Sequence, residues 1–139
     1  MSTAITDRLG VKVVPRHVAM HPVARAIART QLRNAVRDFQ IRLHMLADGE
    51  DVAADVQCAM VVLTVCLETL AILGRTAEPD AAVMRGAQST LLQCAQRGAR
   101  WRTADLPAVS IGLQRAVETY PSLPARETAL AWQRLRETT

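Results

Sequence analysis

Along most of this chain the apolar residues return at intervals of three and four, the period of an amphipathic α-helix, and seldom alternate as they would in a half-buried strand. Prolines, glycines and capping-type side chains cut the pattern into five helical stretches. The sequence therefore predicts an all-α fold: a single compact bundle of about five helices, with residues 1–21 as an irregular N-terminal arm and 22–139 as the helical domain.

In the arm, Thr3 can cap a short turn that runs through Leu9 to Gly10. Val11, Lys12, Val13 and Val14 then read as extended up to Pro15. A lone strand has no partner to pair with, so the arm is expected to lie against the helices or a second subunit, or to be mobile.

Pro22 suits a first helical turn, and the pattern runs from there to about Ala47. At about 100° per residue, Leu32, Ala35, Val36, Phe39, Leu43 and Leu46 gather in one core-facing stripe. Arg25, Arg29, Arg33 and Arg37 stand four apart on the same helix and lead away from that stripe. Arg25 sits at its rim, while Arg29, Arg33 and Arg37 merge with Gln40 and His44 into a polar face. A thinner apolar line of Val23, Ile27, Ile41 and Met45 lies on the far side. One packed layer does not require it, so a second neighbour is expected there, either another helix or a second copy of the chain.

Asp48 or Asp51 can cap the second helix, which ends near Leu73 with Gly74 as its stop. Its second half is apolar nearly all round, apart from Glu68 and two threonines, which predicts a central helix with Glu68 snorkelling outward or paired with an arginine. The third helix starts at Glu78-Pro79-Asp80 and ends near Gly98, burying Val83, Met84, Ala87, Leu91 and Cys94 or Ala95. Asp105 can cap a fourth, with Pro107 in its first turn and Leu106, Val109, Leu113, Val117 and Tyr120 along one face. After the break at Pro121-Ser122-Leu123-Pro124, Ser122 can cap a fifth helix to about Glu137, with Leu130, Trp132 and Leu135 as its large apolar contacts.

Composition narrows the core more than the function. Aromatic residues make up only 3% of the 139, so the interior must be built from Leu, Val, Ile, Met and many alanines, which favours close helix packing. Cys58, Cys66 and Cys94 show no paired spacing and fall in apolar runs, as buried reduced thiols do. The opening MSTAITDRLG lacks the basic and apolar regions of a secretory leader, and the apolar run from Cys58 to Leu73 is short and carries a carboxylate. A cytoplasmic protein with no membrane span is the expectation.

The net charge of +4 hides a segregation. Residues 1–46 carry eight basic groups and two acidic ones, residues 47–80 one and seven, and residues 81–139 eight and four. All but one of the basic residues are arginine, a bias shared with GC-rich coding sequences, which lowers the weight of any single guanidinium. The chain has the general look of small arginine-rich accessory proteins of high-GC bacteria and their phages or mobile elements. No motif carries that likeness, so no functional residue transfers from it.

Chemical signatures are largely absent. The sequence has no dinucleotide or phosphate-binding glycine loop, no hydrolase elbow, no HExxH and no EF-hand loop. His17 and His21 have a four-residue spacing that suits zinc on a helix, but prolines at 15 and 22 flank them. No catalytic, cofactor or metal residue is assigned.

The arginine ladder remains. Its groups rise about 6 Å and turn about 40° per step, a geometry that can follow a phosphate backbone or an acidic protein surface. Like charges four apart repel by a few tenths of a kcal/mol, so an anion is needed to offset them. The acidic block from Asp48 to Asp55 is the internal candidate. The expected function is a non-enzymatic interaction or regulatory protein, an accessory or inhibitor protein of a bacterial mobile element or phage. It docks an acidic surface of a protein or nucleoprotein partner through Arg29, Arg33, Arg37, Gln40 and His44, with the second apolar line supporting a homo-oligomer.

Two rivals stand beside it. One is nucleic-acid binding through the phosphate backbone, using the ladder and Arg97, Arg100, Trp101 and Arg102, where a tryptophan among arginines can stack on bases. The other is a small enzyme with an unrecognised site near Glu68 or the histidines. Gln31 and Asn34 point away from the ladder, so sequence-specific reading of DNA is not supported.

Overall fold

The computed structural model describes residues 22–137, with side chains described from residue 30 onward apart from that of Leu32. The expected arm, with His17 and His21, lies outside the described residues. Five α-helices follow within them: α1 Pro22–Arg42, α2 Ala53–Ile72, α3 Pro79–Gln96, α4 Leu106–Thr119 and α5 Ala125–Glu137. Short 3₁₀ turns sit at Leu43–Met45, Thr103–Asp105 and Tyr120–Ser122. Among the described residues the one β pairing is an isolated antiparallel bridge between Asp51 and Arg100.

The apolar character of α2 on all sides has the expected consequence. It touches α1, α3, α4 and α5, and Val56, Met60, Leu63, Val65, Cys66 and Leu70 are fully buried. By length and composition α2 resembles a membrane span, with a mean hydropathy of 1.7. Its apolar surface is instead spent inside the bundle. Glu68 is the outlier, and its carboxylate accepts a hydrogen bond from Arg134 of α5 at 2.7 Å, with both side chains partly solvated. Burial without a nearby cation pushes the Cys66 thiol up to about 12.

α3 and α4 share the most extensive packing of any two elements among the described residues. A side-chain carbon at Gly112 would lie 2.1 Å from the Ala87 β-carbon and 2.8 Å from the Val83 carbonyl oxygen. The missing side chain lets the two backbones approach, as small residues at a crossing do. Glycine therefore does more here than punctuate helices.

Several helix ends differ from the expected ones. α1 stops at Arg42 and tightens into the turn Leu43–Met45 before the chain extends at Leu46. Asp105 does not cap α4 with its side chain, because its carboxylate pairs with the Arg97 guanidinium at 2.5 Å. A charged donor holds it more strongly than a backbone N–H would. Ser122 does not cap α5: it lies in the turn after α4 and its hydroxyl donates to the Thr119 carbonyl at 2.7 Å. Asp51 does hold the start of α2, accepting from the Ala53 N–H at 2.9 Å. Leu130 is 40% exposed, leaving Trp132, Ala131 and partly buried Leu135 to seat α5.

The chain leaves α3 through two consecutive left-handed residues, Gly98 at φ +92° and Ala99 at φ +58°. The Gly98 N–H donates to the Ala95 carbonyl and the Ala99 N–H to the Cys94 carbonyl, so the last turn of α3 is closed. This reversal lays 99–103 against 48–52. Gly49 N–H donates to the Trp101 carbonyl at 2.8 Å, Trp101 N–H to the Glu50 carbonyl at 2.9 Å, and Val52 N–H to the Ala99 carbonyl at 2.9 Å. The indole of Trp101 is thereby driven into the core, 1% exposed.

Candidate interaction surface

α1 packs on α2 and α4 and presents the rest of its circumference outward. It runs opposite to α4, because Gln40 meets Gln114 while Arg33 lies beside Tyr120. The ladder is divided by this packing. The side chain of Arg29 lies outside those described. Arg33 is half-buried at the edge facing the corner after α4, and its Nε–H is buried with no acceptor. Arg37 is exposed one turn later, and His44 is exposed in the closing turn. Neither carries an ion pair or a side-chain hydrogen bond among the described residues.

Gln40 behaves differently from its expected neighbours. Its amide donates to the Gln114 carbonyl oxygen, and the Gln114 amide in turn donates to Glu118. Arg115 closes the chain, reaching Glu118 at 3.1 Å and Asp80 at 3.4 Å. Gln40 is thus a link between α1 and α4. Helix periodicity puts Gln40 on the polar side of α1, and the glutamine it meets stands on a different helix, 74 residues away in sequence.

The acids that follow α1 are all engaged elsewhere. Asp48 accepts from the Thr103 N–H at 2.6 Å, Glu50 from the Ala47 N–H at 2.5 Å and Asp51 from the Ala53 N–H. Asp55 pairs with Arg42. None of the four reaches Arg33 or Arg37.

Beside the unpaired cations stand the two most exposed large apolar residues among those described, Ile41 at 73% and Met45 at 83%. They belong to the second apolar line; the side chains of Val23 and Ile27, its other members, lie outside those described. Burying Ile41 and Met45 on association would contribute about 1.5–3 kcal/mol each.

The second expected cluster is split by the fold. Trp101 is a core residue and offers no face for base stacking, because its ring meets the edge of Phe39 at 6.3 Å between centroids. Arg97 is held by Asp105 and by the Arg100 carbonyl, to which its Nε–H donates at 3.2 Å. Arg100 and Arg102 alone project outward, along a cleft of about 510 Å³ that Asp48 also lines. Among the described residues, no group of three or more His, Cys, Asp and Glu side chains is placed to hold a metal.

Comparison with protein-family models, with curated proteins and with solved structures finds no match to this chain.

Proposed function

We propose that the protein is a non-enzymatic helical interaction protein that docks an acidic surface of a protein or nucleoprotein partner on the outward face of α1. Arg33, Arg37 and His44 supply the cationic side of that face, Ile41 and Met45 the apolar side, and Gln40 steadies α1 against α4. The carrying observation is the mismatch in charge pairing. Every acid of the 48–55 block has an intramolecular partner, while Arg33 and Arg37, four residues apart, have none among the described residues. Repulsion between them is relieved by an anion from outside.

An apolar pair beside unpaired cations favours a protein surface over a bare phosphate backbone, which offers nothing to Ile41 and Met45. The proposed role remains that of an accessory or inhibitor protein acting in the cytoplasm of a bacterium, on behalf of a phage or mobile element. An Arg33→Glu, Arg37→Glu double variant with wild-type circular dichroism tests it. Loss of acidic partners captured from the source cell is the expected result; retention of the full wild-type set contradicts the docking role.

Arg100 and Arg102 support one alternative reading, contact with a nucleic-acid backbone along their cleft. A fluorescence anisotropy titration at low salt decides it, since backbone binding weakens steeply as salt rises.

A further inference from the structure

Between α1 and the corner that joins α4 to α5 lies a cavity of about 280 Å³, lined by Thr30, Arg33, Tyr120, Leu123, Ala125 and Thr128 together with Pro121. We infer that this cavity is a carboxylate-binding subsite, which takes an acidic side chain of the docking partner with its aliphatic stem against Pro121 and Leu123 and its oxygens on the Arg33 guanidinium. The inference rests on the docking reading for the owner of the carboxylate, and on the cavity for the chemistry.

Arg33 carries the case. Among the described residues it is the one charged side chain on the wall and forms no ion pair, and its Nε–H is buried without an acceptor. A buried donor left unmet carries a desolvation penalty, which an acceptor brought to the guanidinium relieves. Guanidinium presents parallel N–H groups that match the two oxygens of a carboxylate.

The remaining walls select among anions. Pro121, Leu123 and Ala125 are apolar, and the Tyr120 ring is held in place because its hydroxyl accepts from the Trp132 indole N–H at 3.0 Å. A phosphate dianion pressed against three apolar residues with one guanidinium would be left undercompensated. A single negative charge on an aliphatic stem meets both kinds of wall. α5 begins at Ala125 on the same wall, so the positive end of its dipole adds to the field of Arg33. The next residue, Arg126, is exposed and has no acid paired with it among the described residues.

The test is an NMR titration of the isolated protein with sodium acetate, sodium butyrate and sodium phosphate, each against sodium chloride at matched ionic strength. Saturable shifts at Arg33, Leu123 and Ala125 are expected, with butyrate binding more tightly than acetate and phosphate. Arg33→Met should weaken butyrate by about tenfold or more, equivalent to about 1.4 kcal/mol, whereas Arg37→Met should leave it unchanged. Arg33→Gln serves in the same role where the methionine variant does not fold. Shifts that fail to saturate, that persist without Arg33, or that favour phosphate would overturn the inference. Absence of butyrate binding overturns the subsite alone, and the charge-reversal capture experiment judges docking separately.

Discussion

Phe39 of α1 meets Trp101 edge to face, with ring centroids 6.3 Å apart and an interplanar angle of 78°. The pair ties the first helix to the segment after α3, and it withdraws the only tryptophan of the arginine cluster from solvent. The indole N–H has no acceptor in this position, so the ring is kept for its packing. Trp101→Ala should therefore lower stability by about 3–5 kcal/mol. Trp101→Phe should cost clearly less, because it keeps an aromatic ring and deletes the unmet donor. Urea unfolding followed by circular dichroism measures both; equal losses would show that the N–H is bonded in solution.

Gly112 supplies a second, opposite kind of test. Alanine is ordinarily the better helix former by about 1 kcal/mol, and on an exposed face Gly112→Ala would stabilise α4. Here the added carbon collides with Ala87 and the Val83 carbonyl, and backbone cannot yield as a side-chain tip can. A net loss of about 1–3 kcal/mol is expected. Gly86, inside α3 with open space around its missing side chain, is the matched control, and Gly86→Ala should stabilise. A shared gain in both variants would mean that α3 and α4 pack less closely.

The buried thiols predict a pH dependence. Cys66 ionises near 9.0 when unfolded and at about 12 when folded, because burial disfavours the thiolate. The unfolded chain thus loses its proton first as pH rises. The contribution to stability is fully present below pH 9 and is lost as pH climbs toward 12, at about 1.4 kcal/mol per pH unit while only the unfolded form is ionised. Urea midpoints above pH 9 should fall more steeply in the wild type than in Cys66→Ala. Identical slopes would remove Cys66 as the cause. At pH 8 the same residue should resist a thiol reagent until the protein unfolds.

Much of this fold was legible because its signals are local. Gly74 ends α2 and Pro79 begins α3 through backbone geometry that a few neighbouring residues decide. The all-round apolar character of α2 announced its central place, and the lone carboxylate on it found an arginine as expected. What escaped was long-range. The burial of Trp101 follows from the pairing of 99–103 with 48–52, and nothing near Trp101 in sequence encodes those partners. Asp105 and Ser122 looked like caps because their residue types suit caps, yet Arg97 and a 3₁₀ turn took them first. The bond from Gln40 to Gln114 likewise joins residues 74 positions apart, beyond the reach of helix periodicity. The cavity beside Arg33 left one trace in the sequence, the two prolines that force the corner between α4 and α5.

The docking face itself is tested most directly by mapping contact. A photo-crosslinking residue placed at Ile41 or Met45, with Leu92 on α3 as the comparison site, reports which surface a captured partner covers. Acidic-protein crosslinks are expected from positions 41 and 45, with few from 92, and they should disappear when Arg33→Glu and Arg37→Glu are added. Crosslinks from 92 alone, crosslinks indifferent to the charge reversal, or crosslinks only to a second copy of the chain would contradict it.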